Sequence, residues 1–228
     1  MAGIRVAVCR RYARVSGLRI SRREIGKRMN RAAAREMLST YLERPVTGVL
    51  AKMGVSPNMV TFAGLLGAGV SAWLISEGML WAGGVVMLLA GVLDLFDGSL
   101  ARSTGKESPF GALLDSVVDR VSEIVVLLGL LIHYARNDSL EGTVLVYLAV
   151  GGSVMVSYLR ARSEGLGIDC KVGIMTRPER VAALGAGMII SHWFPAVMLV
   201  VLGIIAALTT LTTAQRLIHT GRSLSAGD

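Results

Sequence analysis

Apolar runs about as long as a bilayer's hydrocarbon core is thick decide what this chain can fold into. Six of them follow one another: 58 to 76, 79 to 100, 110 to 134, 142 to 159, 181 to 193 and 195 to 211. Hydrophobic residues make up 53% of the chain and the mean hydropathy is +0.58. An ordinary soluble domain holds roughly 45–50% apolar residues, so this chain lacks the polar surface to cover a globule in water. The sequence predicts an all-α membrane protein with six transmembrane helices. Its many glycines and alanines, as in "GLLGAG" (64–69) and "GAG" (185–187), suit helices that approach closely, within one subunit or across a homodimer.

Basic residues fix the expected orientation. Of 24 Lys and Arg, 13 precede the first run, and Arg136 alone falls on the opposite side of the membrane from the rest. By the positive-inside rule both termini lie in the cytoplasm, with the protein in the cell membrane. The net charge of +8 is then a membrane flank, and no nucleic-acid partner is expected. Residues 1–36 read as an arginine-rich arm with no apolar core long enough for a secretory signal. Residues 37–57 read as an interfacial amphipathic helix, with Leu38, Tyr41, Leu42, Val46, Val49, Leu50 and Met53 on one stripe. The catalytic domain is expected over 58–219 and a cytoplasmic tail over 220–228. Cys9 and Cys170 fall on the cytoplasmic side, where thiols stay reduced.

Against this background the stretch "LDLFDGSLARSTGKESPFGALLDSVVDR" (93–120) is anomalous, because it sets Asp94, Asp97, Asp115 and Asp119 among residues typical of a membrane helix. An ionised carboxylate in a spanning helix costs several kcal/mol unless it meets a cavity, a cation or a partner. Asp94 and Asp97 are three apart, and Asp115 and Asp119 four apart, so each pair shares a helix face. Two facing pairs make a four-carboxylate cup. The fifteen uncharged residues from 79 to 93 put that cup near the cytoplasmic surface. Four oxygen donors with no nearby His or Cys suit Mg²⁺ or Mn²⁺, and carboxylate-held hard cations usually meet phosphate. Arg102 is placed to pair with such a phosphate, while Gly98 and Gly111 let a ligand approach the backbone. The plain alternative is that the aspartates are neutralised by Arg102 and Arg120.

The spacing D-x2-D-G-x2-A-R-x8-G-x3-D-x3-D, here Asp94, Asp97, Gly98, Ala101, Arg102, Gly111, Asp115 and Asp119, resembles that of the CDP-alcohol phosphatidyltransferase family without departure. The resemblance implies transfer of a phosphatidyl group from a CDP-linked lipid of the CDP-diacylglycerol type to an alcohol, with release of CMP. It implies two divalent ions held by the four aspartates, with Asp119 also the general base. It places the cytidine pocket at Gly98, Ala101, Arg102 and Gly111, and it implies a homodimer. "SPNMVT" (56–61) resembles the family's first-span start, with Asn58 and Thr61 near the nucleotide, and it is equally readable as a plain helix start.

The acceptor is signalled further on. "SYLRARSEG" (157–165) and "RPERV" (177–181) resemble the subgroup that uses inositol phosphate, which implies an acceptor-phosphate site at Arg160, at Arg177 or Arg180, and at Arg216. Arg160 stands where lysine is expected and so changes the donor geometry. The competing readings are a phosphatidylglycerophosphate synthase using glycerol 3-phosphate, then a phosphatidylserine synthase. In a different class stands a non-catalytic cation transporter, although a transporter gathers its ionisable groups near mid-membrane.

Overall fold

In the computed structural model, residues 55–105 and 107–225 are described, apart from the side chains of Leu95, Asp97 and Thr104. The expected arm (1–36) and nearly all of the expected amphipathic helix (37–57) lie outside the described residues. Six α-helices follow: α1 (Pro57–Ser76), α2 (Leu80–Thr104), α3 (Pro109–Arg136), α4 (Leu140–Gly165), α5 (Arg177–Ile190) and α6 (Ala196–Ser225). Short links join α1 to α2, α3 to α4 and α5 to α6, so successive helices run in opposite directions.

Three helices begin at one end of the bundle with a hydroxyl residue followed by a proline in the first turn, and in two of them the hydroxyl caps the helix. Ser56 and Ser108 are N-caps whose hydroxyls accept from the N–H groups of Met59 and Gly111, and each is followed by a proline at the first helical turn. Thr176 precedes α5, again with Pro178 in the first turn. At that same end α2 stops at Gly105, whose φ of 63° is the left-handed conformation glycine adopts without strain.

The helices pack in a closed circuit: α1 on α2, α2 on α5, α5 on α6, α6 on α4, α4 on α3, and α3 back on α1. Inside lie Ile75, Leu127, Leu130, Val146, Leu184, Met188, Met198, Leu202 and Ile205, each fully buried. Small residues let the helices approach, and within this single chain. A Cβ on Gly84 would stand 2.9 Å from the Gly185 carbonyl, and one on Gly129 would stand 2.7 Å from the Ala72 Cα. The outward faces remain greasy, with Leu66, Trp73, Leu89, Leu113, Leu128, Tyr147 and Val200 exposed.

Four helices, α1, α2, α4 and α6, are long and apolar enough to cross a membrane. The other two expected spans differ for physical reasons. α3 carries Asp115, Asp119, Arg120 and Glu123 between its start and its middle. α5 has 14 residues, roughly 21 Å at 1.5 Å per residue, and begins four residues earlier than the apolar run that announced it. α6 continues through Ser225, past residue 219, where the cytoplasmic tail is expected to begin. There the buried Thr220 hydroxyl lies 2.7 Å from that of Ser163 on α4.

Candidate active site

The N-termini of α1, α3 and α5 and the C-terminal half of α2 together carry the motif residues. Each helix N-terminus presents the positive end of its dipole, a setting that favours an anion. Asn58 and Gly111 bring α1 and α3 together, since a Cβ on Gly111 would stand 3.9 Å from Asn58 Oδ1. Gly98 is beside Arg102, whose Nη1 would lie 3.5 Å from an added Cβ, and Arg102 Nη2 donates to Ser99 Oγ at 2.9 Å. Thr61 is buried, its hydroxyl donating to the Pro57 carbonyl at 3.2 Å. Ala101 lies half-buried one residue before Arg102.

The carboxylates converge across helices on a partner that the local spacing did not indicate. Arg177, the first residue of α5, has Nη2 3.1 Å from Asp94 Oδ2 and Nη1 2.8 Å from Asp119 Oδ1. Asp94 and Asp119 are largely buried, at 12% and 18% side-chain exposure. Asp115 and Asp94 are the carboxylates that act on Asp119 as like charges, and Arg177 and Arg120 are the opposing cations. Arg120 donates to the Ser116 carbonyl within its own helix. Asp94 and Asp119 thus share an arginine from a distant helix, with Arg120 a further cation acting on Asp119.

Among the described residues no three His, Cys, Asp or Glu side chains are gathered closely enough to hold a metal as they stand; the side chain of Asp97 is outside that set. The donors nevertheless fit a hard divalent cation. They are all oxygen, and two of them, from α2 and α3, already converge on one cationic group.

A second ionic rung lies one helical turn deeper. Arg180 Nε is 2.6 Å from Glu123 Oε1, and Nη2 is 2.8 Å from Oε2. Arg180 is 1% and Glu123 4% exposed. Glu123 was absent from the sequence expectations, although the four-residue step from Asp115 to Asp119 to Glu123 puts all three on one face of α3. The geometry also separates the two arginines left open in "RPERV": Arg177 stands among the aspartates, while Arg180 is turned inward, its Nη1 donating to the Met175 carbonyl at 3.4 Å.

Of the remaining expected acceptor arginines, Arg160 is exposed and pairs with Glu164 at 2.9 Å. Arg216 is buried, donating to the carbonyls of Val172 at 2.9 Å and Val156 at 2.5 Å. Its Nη2 would be 3.7 Å from a Cβ on Gly173, whose φ is 129°. Arg160 and Arg180 are the cations near enough to repel Arg216, and Glu164 is the carboxylate that opposes them.

Residues 54–215 match the family described as CDP-alcohol phosphatidyltransferase. This chain belongs to the CDP-alcohol phosphatidyltransferase family. It is an enzyme of that class, and its several apolar helices accord with the multi-pass membrane character of the family. It is 32% identical over 187 residues, 80% of this chain and 92% of the relative, to archaetidylinositol phosphate synthase of Methanothermobacter thermautotrophicus. Two crystal structures of Mycobacterium tuberculosis phosphatidylinositol phosphate synthase share the fold. The one with CDP-DAG bound superposes with a TM-score of 0.74 at 30% identity, covering 78% of this chain and 93% of that one. The one in complex with manganese and citrate gives 0.73 at 31% identity, covering 78% and 88%.

Proposed function

We propose that this phosphatidyltransferase moves the phosphatidyl-type group of a CDP-diacylglycerol-type lipid onto a hydroxyl of inositol phosphate and releases CMP. The observation that carries this reading is the convergence of Asp94 and Asp119 on one cationic position, 3.1 and 2.8 Å from the Arg177 guanidinium, with Arg160 and Arg216 on the neighbouring helices α4 and α6. Bound to Asp94, Asp97, Asp115 and Asp119, two Mg²⁺ or Mn²⁺ ions supply charge neutralisation for the pyrophosphate and for the leaving CMP. The manganese in the mycobacterial relative's structure supports that choice.

The chain's own residues do the rest. Asn58, Thr61, Gly98, Ala101, Arg102 and Gly111 hold the nucleotide end of the donor. Asp119 takes the proton from the attacking hydroxyl. The freed oxygen forms a bond to the lipid-side phosphorus, and the bond from that phosphorus to the bridging oxygen breaks, leaving its electron pair on CMP. Arg160, Arg177 and Arg216 hold the acceptor's phosphate through charge-assisted bonds; Arg180, closed in by Glu123, is left out of that set. All six helices span the cell membrane, with the site and both termini in the cytoplasm, and the enzyme works as a homodimer.

The test is CMP release by purified enzyme given CDP-diacylglycerol with inositol phosphate, free inositol or glycerol 3-phosphate. Turnover is expected with inositol phosphate and not with free inositol, to be abolished by EDTA and restored by Mg²⁺ or Mn²⁺. Consumption of glycerol 3-phosphate with inositol phosphate ignored would refute the acceptor assignment, and full activity in excess chelator would refute the metal.

A further inference from the structure

The buried pair between Glu123 and Arg180 has no part in the chemistry just described, yet it lies directly beneath the arginine that does. We propose that Glu123 and Arg180 are positioning residues for the transfer reaction: their pair locks the register of α5 against α3 and so sets where Arg177 enters the site beside Asp94 and Asp119. The inference rests on the reading that Arg177 contacts the acceptor's phosphate.

Stability alone is a poor reason for such a pair, because apolar residues of similar volume often serve a fold as well or better. What a bidentate guanidinium–carboxylate pair does supply is direction. Its two parallel bonds, at 2.6 and 2.8 Å, admit one relative placement of the two side chains. Glu123 is four residues beyond Asp119 and Arg180 three beyond Arg177, so the two pairs form successive rungs of one ladder between α3 and α5. A slip of one rung would carry Arg177 roughly 4.5 Å along the helix axis at 1.5 Å per residue, out of reach of both aspartates. Arg180 Nη1 also donates to the Met175 carbonyl, which ties the strand of chain leading into α5 to the same anchor.

Arg177 needs that anchoring because little fixes it from behind. Its Nε is buried without a hydrogen-bond partner, as is the hydroxyl of Ser122. Both groups line a cavity of about 20 Å³ that also touches Asp94 and Glu123, room for about one water molecule. The guanidinium therefore has slack on its inner side. Its place beside the carboxylates is set by where α5 carries its Cα, and the deeper rung is the link that fixes α5 to α3, while α5 otherwise packs on α2 and α6.

The experiment replaces both partners in the full-length enzyme with apolar residues, Glu123→Leu with Arg180→Met, so that no buried charge is left alone. The positioning role predicts a folded protein with an unchanged KM for CDP-diacylglycerol and a KM for inositol phosphate raised about 10- to 100-fold, the scale on which an ångström of misplacement shows. In an Arg177→Gln background the same replacement should add nothing further to that KM. A folded double variant with a normal acceptor KM overturns the proposal, as does full additivity with Arg177→Gln. An Arg177→Gln enzyme with a normal acceptor KM shows instead that the acceptor reading itself has failed, and removes the basis of the proposal with it. Should the double variant not fold, Arg180→Lys keeps the charge but loses the fork. The same selective rise in acceptor KM is then expected, and equal loss toward both substrates would overturn the idea.

Discussion

Replacing Arg177 by glutamine should make the enzyme bind divalent metal more tightly. At the proposed metal site the guanidinium would compete with the ion for the same oxygens, since Asp94 Oδ2 and Asp119 Oδ1 lie 3.1 and 2.8 Å from its nitrogens. A hydrogen bond between charged groups contributes about 1.5–3 kcal/mol net. Arg177 is 28% exposed at its side chain, so the lower end applies, and solvent returns part of it when the guanidinium swings away. The displacement then costs an entering ion about 1.5–2 kcal/mol, and its removal should tighten Mn²⁺ binding about 10- to 30-fold at roughly 1.4 kcal/mol per decade. Titration of the free Mn²⁺ electron paramagnetic resonance signal in the absence of lipid reads this directly. Arg177→Lys retains the charge and should bind Mn²⁺ much as the native chain does. An Arg177→Gln protein that binds Mn²⁺ equally or more weakly would show that the guanidinium does not occupy the metal's place.

Four further outcomes are expected. Asp119→Asn removes the base and should lower kcat by about 10²–10⁴-fold, measured as CMP release at saturating substrates; near-native turnover would contradict the assignment. Gly64→Ala sets a methyl group against the carboxylate of Asp94, so activity and Mn²⁺ affinity should fall together while the protein stays folded. Gly129→Ala forces α3 away from the α1 backbone at Ala72, 2.5–3.0 Å from the new Cβ, and overpacking of this kind should cost about 1–3 kcal/mol, read as a lower melting temperature in detergent. In a background lacking Cys9 and Cys170, cysteines at Ser103 and Ser223 should react with an impermeant thiol reagent only in inverted vesicles, and one at Asp138 only in intact cells.

The orientation test also bears on Arg136, the one Lys or Arg at the other end of the bundle among the described residues. It pairs with Glu77 at 3.1 Å and donates to the Ser76 carbonyl, so its charge is partly answered by the end of α1. An exposed pair of this kind contributes little to stability, but it reduces the cost of placing an arginine on the side that the charge bias disfavours.

Much of this protein is written in short-range pattern. Apolar runs announce all six helices, and four of them, α1, α2, α4 and α6, are long and apolar enough to cross a membrane, where a helix satisfies its own backbone. The serine–proline starts of α1 and α3 and the glycine stop of α2 are likewise local, decided by side chains within four residues of the backbone groups they serve. The two aspartate pairs could be set on shared faces from their spacing alone, and the full eight-residue motif led to the family. The sequence could not show which faces meet. Asp94 and Arg177 are 83 residues apart and Glu123 and Arg180 57 apart, and no periodicity links positions on different helices. The arginine in the carboxylate cup, the inward turn of Arg180 and the packing of Asp94 on Gly64 all follow from the closed circuit of α1, α2, α5, α6, α4 and α3. That circuit arises where small residues let particular helices approach, a property of paired surfaces that exists only once both surfaces are in place.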